Sequence, residues 1–116
     1  MVRLSLVCTT LFLAVAAPLA AQERIGTIER GDYVCELPGD AGGSVGLVQK
    51  HESFRIESAS RYSSPQGDGT YLRRGDRVMF TSGPRNGDAY AIVRRGYLRK
   101  LESAEVSRLR CLRVSS

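Results

Sequence analysis

The chain has 116 residues, a formal net charge of +5, one histidine, no tryptophan and three cysteines. Such a length holds one domain with a modest core and excludes a multidomain enzyme. A lone histidine and the lack of any Cys-x-x-Cys spacing leave no metal or cofactor signature and little material for nucleophilic catalysis, which needs a base beside the nucleophile.

Residues 1–21 carry one positive charge at Arg3, an apolar run from Leu4 to Ala17, then Pro18 and small residues. This is the organisation of a secretory signal peptide, with cleavage expected after Ala20 or Ala21, and it predicts a periplasmic or secreted protein. An uncleaved N-terminal anchor is the competing reading. Residues 22–116 then form a single β domain in which only Cys35 and Cys111 remain. A pair of cysteines in an oxidising compartment predicts one disulfide, joining the first convincing strand to the last. Chain entropy alone assigns so long a loop roughly 4.5 kcal/mol.

After the leader no segment sustains apolar residues at helical spacing, while all 12 glycines fall there. The alternation of side chains predicts strands at 32–37, 46–49, 53–57, 69–73, 77–81, 89–93, 97–101 and 109–114, about seven or eight in all. In the first, Tyr33, Cys35 and Leu37 share a face; in 77–81, Val78 and Phe80 do. Ser82-Gly83-Pro84-Arg85-Asn86-Gly87 reads as a hairpin loop, Arg73-Arg74-Gly75-Asp76 as a tight connection, and 38–44 as a longer loop. Residues 102–107 are expected to make one helical turn. The pattern indicates an all-β fold, a small antiparallel barrel or sandwich.

Gly-Asp recurs at 31, 39, 67, 75 and 87, twice inside Arg-Gly-Asp. Repetition between strands marks these pairs as turn architecture rather than an adhesion ligand, with glycine giving backbone freedom and Asp accepting local backbone hydrogen bonds. The same role is expected of Asp68, Asp76 and Asp88 in preference to paired-carboxylate catalysis, and His51 reads as a surface histidine.

Charge is unevenly divided. Residues 22–57 are net acidic, whereas 58–116 are strongly basic through Arg61, Arg73, Arg74, Arg77, Arg85, Arg94, Arg95, Arg99, Arg108, Arg110 and Arg113, plus Lys100. Guanidinium groups suit bidentate contact with phosphate or carboxylate, so Arg73, Arg74, Arg77, Arg94 and Arg95 are candidate contacts for an anionic envelope component or an acidic protein. The competing reading is a solvated surface of arginine-rich composition. Nucleic acid is disfavoured by export and by the lack of an aromatic stripe among the arginines.

The segments Gly31-Asp32-Tyr33-Val34-Cys35-Glu36-Leu37-Pro38-Gly39-Asp40-Ala41, Gly69-Thr70-Tyr71-Leu72-Arg73-Arg74-Gly75-Asp76, Thr81-Ser82-Gly83-Pro84-Arg85 and Leu109-Arg110-Cys111 together resemble a group of small exported alphaproteobacterial proteins. That group has no established activity. Some of its members carry an elongation factor P label, but the lysine of that factor's Pro-Gly-Lys loop has no counterpart at Pro38-Gly39-Asp40. Ser58-Ala59-Ser60-Arg61-Tyr62 with Gly75-Asp76 is similar to a loop and following strand of the periplasmic inhibitors of c-type lysozyme, small disulfide-linked β-barrels. The similarity implies an inhibitory role for Ser58, Ser60 and Tyr62, although the motif's glycine is absent here. Three expectations result: a non-enzymatic module binding an anionic partner, a lysozyme-inhibitor-like protein, or a structural envelope protein.

Overall fold

The computed structural model describes Thr10 and residues 25–39 and 46–116. The expected leader, Thr10 apart, and residues 40–45 lie outside the described residues. Among the described residues ten strands follow in order: β1 Ile25–Gly26, β2 Gly31–Pro38, β3 Gly46–Val48, β4 Phe54–Ser58, β5 Arg61–Ser64, β6 Gly67–Arg74, β7 Arg77–Phe80, β8 Ala89–Arg94, β9 Tyr97–Glu102 and β10 Glu105–Ser115. All pairings are antiparallel. The path β6-β5-β4-β2-β10-β9-β8-β7 returns to β6, closing an eight-stranded barrel. Closure removes the unpaired edges that a small open sheet would leave to solvent.

The two additional strands complete edges that other strands leave half-covered. On one side of β6, β5 pairs with Gly67 to Thr70 and β1 with Arg73 and Arg74. Likewise β4 pairs with the first residues of β2, and β3 with the last. Cys35 lies directly opposite Cys111 in the β2–β10 ladder, with Cα atoms 3.9 Å apart, and the two form the expected disulfide. The bridge is fully buried and staples the seam between the first long strand and the last.

Inward alternation fills the barrel with rings. Tyr33 stacks on Phe54 at 5.2 Å, Phe80 meets Phe54 edge-on at 5.2 Å, Tyr62 stacks on Phe80 at 4.3 Å, and Tyr90 tilts against both phenylalanines. Each such side chain withdraws about 150–250 Å² from water, so a handful suffices to fill a barrel of this girth. Ile28, Ile56, Tyr71, Val78, Leu98 and Leu109 pack around them, together with the disulfide.

Two local expectations are corrected. Residues 102–107 form no helical turn: Glu102 pairs with Glu105, and the connection uses Ser103 and Ala104 at φ 50° and 64°. Two consecutive left-handed residues make the turn type that matches strand twist. The register of β9 against β10 imposes it on residues that would not choose it alone. The Gly-Asp pairs also divide their labour differently from expectation. Gly31, Gly67, Gly75 and Gly87 all have positive φ, so the glycines are required. At Gly31, moreover, a Cβ would collide with the Ser115 carbonyl. The carboxylates of Asp68, Asp76 and Asp88 accept no backbone N–H among the described residues. Asp32 instead accepts Ser115 Oγ at 2.6 Å and pairs with Arg55 at 3.1 Å. The turns depend on the backbone freedom of glycine, and the acid serves mainly as an exposed polar neighbour.

Candidate functional site

Antiparallel register sorts the connections into two ends of the barrel. One end gathers the β4–β5, β6–β7 and β8–β9 hairpin tips, the segment from Thr27 to Arg30 and the end of β10. This follows from the pairing of Gly31 with Ile56, from Arg113 N–H donating to the Gly96 carbonyl, and from Ile92 N–H donating to the Asp76 carbonyl. The other end holds residues 49–53, 64–67 and 81–88 and the β9–β10 turn. Charge follows the same division. Arg30, Arg55, Arg61, Arg73, Arg74, Arg77, Arg94, Arg95 and Arg113 lie at the first end with Glu29, Asp32, Glu57 and Asp76. Glu52, Asp68, Asp88, Glu102 and Glu105 gather towards the second, with Lys50, Arg85 and Lys100.

The candidate arginines are brought together at the first end, but they are not equivalent. Arg74 and Arg77 face each other across the tight Gly75-Asp76 turn, both exposed. Among the described residues neither has an ion-pair partner. The Arg94 guanidinium sits 5.0 Å from the centre of the Tyr97 ring, a cation–π contact that fixes its direction. Arg95 pairs with Glu29 at 3.0 Å while remaining largely exposed, an arrangement worth little in water. Arg73 is half-buried and serves the fold. Its Nε donates to the Gly75 carbonyl at 3.0 Å and its Nη1 to the Thr27 carbonyl at 2.9 Å, holding the N-terminal segment against β6. Between Arg73 and Arg95 the barrel mouth opens as a cavity of about 190 Å³ with Ile28, Tyr33, Ile92 and Leu98 on its walls. Burial, with the Glu29 carboxylate next in effect, pushes the Tyr33 hydroxyl up to about 12, so it stays a neutral donor to the Glu29 carbonyl.

Much of the remaining basic sequence is committed to the fold. Arg110 pairs with Glu36 at 2.8 Å, Arg99 donates to the Ser107 carbonyl at 2.7 Å, Arg113 to the Arg30 carbonyl at 2.6 Å, and Lys100 to Glu52 at 3.1 Å. Arg85 departs furthest from the solvated cation that composition suggests. It is only 6% exposed, at the second end. Its guanidinium donates to the carbonyls of His51 and Glu52, to Ser53 O at 2.9 Å and to Gln66 Oε1 at 3.0 Å, and lies over the Phe54 ring. Arg85 is a plug that ties the 49–53 turn to the 81–88 loop. Its position in a Gly-Pro-Arg-Asn-Gly turn signals a tight connection and says nothing about which way the long side chain points.

The residues of the lysozyme-inhibitor similarity are split by burial. Ser58 and Ser60 lie on the exposed β4–β5 hairpin, but Tyr62 is inside the barrel. Its hydroxyl donates to the Ser82 carbonyl at 2.8 Å and accepts the Arg85 N–H at 3.2 Å. Alternation explains it: Tyr62 is the inward residue of β5, facing Phe80. Tyr62 therefore offers no surface contact. His51 is exposed, its ring 3.9 Å from the Glu52 carboxylate, and its backbone carbonyl accepts from Arg85 and from Gln66 Nε2. Asp76 stands at the opposite end of the barrel from Asp68 and Asp88, so the three carboxylates do not converge. Among the described residues no group of three His, Cys, Asp or Glu side chains is placed to hold a metal ion, and no helix is long and apolar enough to cross a membrane.

Comparison with protein-family models, curated proteins and solved structures finds no match for this chain. The disulfide is compatible with an oxidising compartment.

Proposed function

We propose that this is an exported, non-enzymatic binding module whose arginine-rich barrel end engages an anionic partner. One observation carries the reading: Arg74, Arg77 and Arg94, which have no carboxylate partner among the described residues, stand on adjacent hairpin tips at one end, where arginines outnumber the acidic side chains. Free cations scattered over a barrel would only solubilise it. Cations gathered at one end produce a directional potential that attracts and orients an anion. The hairpins carrying them are short, paired on both sides and rigid, so little ordering entropy is lost on binding. Guanidinium forks then make bidentate contacts with phosphate, sulfate or carboxylate oxygens.

Retention on immobilised heparin tests this. Replacing Arg74, Arg77 and Arg94 together by Ser removes three free cations, each worth about 1 kcal/mol at an anionic surface, so elution moves to markedly lower salt. Arg108→Ser, an exposed arginine towards the acidic end, leaves elution unchanged. Arg73→Ser is a poor probe because it unties the N-terminal segment. Unaltered retention of the triple variant would remove the basis of the proposal.

A further inference from the structure

We infer that the arginine-bearing end docks on an anionic lipid surface, with Ile25, Val93 and Val114 entering the headgroup region. The inference rests on the anion-binding reading above and adds the identity of the occupant. Three aliphatic side chains stand exposed among the arginines: Ile25 at 68%, Val93 at 54% and Val114 at 62%. Each is tied to a cation by the fold. Ile25 pairs with Arg74; Val93 immediately precedes Arg94, where the β8–β9 register shifts; Val114 follows Arg113, where the β10–β2 register shifts. The Arg113 N–H bonds the Gly96 carbonyl at 2.9 Å, which places the second irregularity beside the hairpin bearing the first. Each irregularity adds an unpaired residue, breaking the in-and-out alternation of its strand.

Exposed aliphatic side chains also occur towards the other end, at Leu47, Val48 and Val106, so it is the place of these three among the cations that a soluble polyanion leaves unused. Water disfavours an exposed aliphatic side chain, and sulfates or acidic loops do nothing to bury it. A bilayer surface uses both parts of the pattern: its phosphates receive guanidinium groups while the boundary below them receives aliphatic tips. Polarity orients the barrel, since the acidic end then points away from the membrane. The chain also enters the barrel at Ile25, at this end, a short stretch of sequence after the apolar run from Leu4 to Ala17. During export through a membrane-held leader, this end is therefore the nearer one.

The chain has no tryptophan, so Val93→Trp introduces a single reporter. On adding vesicles of phosphatidylcholine with phosphatidylglycerol its emission shifts to the blue, and the shift is reversed by salt. Phosphatidylcholine vesicles alone and heparin give no shift. In vesicle flotation, Ile25→Ser, Val93→Ser and Val114→Ser combined lowers partitioning at least about tenfold, while heparin retention and the thermal midpoint stay those of the parent protein. Heparin retention with no emission shift, or with unchanged partitioning of the serine variant, overturns the lipid assignment and leaves the anion-binding reading standing. Loss of heparin retention in the parent protein overturns both.

Discussion

Arg85→Met is the most informative perturbation of the fold, because it keeps an unbranched apolar stem and deletes only the guanidinium. In the parent protein that group satisfies three successive backbone carbonyls, those of His51, Glu52 and Ser53, and Gln66 Oε1. Hydrogen bonds to a charged donor contribute about 1.5–3 kcal/mol each. Against their sum stands the cost of withdrawing the cation from water, several kcal/mol. Some of the freed carbonyls recover water once the plug is gone, because the turn lies at the barrel's end. The net loss expected is about 3–4 kcal/mol, set against a total stability of roughly 5–10 kcal/mol for such a domain. At about 4–8 °C per kcal/mol, the thermal midpoint falls by roughly 12–32 °C. Urea unfolding followed by circular dichroism, with the disulfide intact, measures this directly. Heparin retention of the folded variant is unchanged, because Arg85 stands at the end opposite the free arginines. A loss below about 1 kcal/mol would show that the guanidinium is solvated and not a plug, and reduced retention would show that the charge division of the barrel is misassigned.

Other outcomes follow from the same interior. Tyr62→Phe removes a hydroxyl that both donates to the Ser82 carbonyl and accepts from Arg85 N–H, and costs about 1–2 kcal/mol. Tyr90→Phe is neutral or stabilising in the same unfolding assay, because the Tyr90 hydroxyl is buried near Arg85 without a well-formed hydrogen bond. Equal losses from the two substitutions would contradict the contrast. Reducing the Cys35–Cys111 bridge, which closes a separation of 76 residues, lowers stability by about 2–4 kcal/mol; a reduced protein with the oxidised midpoint would deny the bridge its part in closing the seam. Burial raises the hydroxyls of Tyr33, Tyr71 and Tyr90 above the ordinary value of 10.0. Their contribution is therefore fully present below pH 10, where both states are protonated. It declines as the unfolded chain ionises first, and is lost as pH rises through the folded value, about 12 for Tyr33. Phenolate absorbance is expected to rise cooperatively with alkaline unfolding. Independent titration of every tyrosine near pH 10 in the folded protein would count against their burial.

The two ends of the barrel show why composition alone misplaces function. A count of arginines in residues 58–116 suggests one continuous basic surface, yet Arg85, Arg99 and Arg110 spend their charge on carbonyls or a carboxylate. Arg74 and Arg77 differ from them in no sequence property. They are free because a two-residue turn leaves them at a hairpin tip with solvent beyond. Arginine reports that a planar cation is present, and the neighbouring strands decide whether its donors are consumed internally.

The amino-acid sequence by itself determined the all-β character, the strand segments with clear alternation, the hairpin turns and the cysteine pair, because these depend on side-chain period, turn chemistry and residue type within a few positions. It left β1 and β5 undetected: Ile25–Gly26 is two residues long, and Arg61–Ser64 shows one inward ring among polar neighbours. Both exist through pairing with β6, which no local pattern records. Tertiary structure alone decided that the sheet closes as a barrel, that residues 102–107 turn through left-handed backbone, and that Tyr62 and Arg85 point inward. It also decided that Arg74, Arg77 and Arg94 share one end. The reason is common to all of these: strand register and closure bring together residues far apart in the chain, and the direction in which a long polar side chain finds its partners is settled only when those partners are in place.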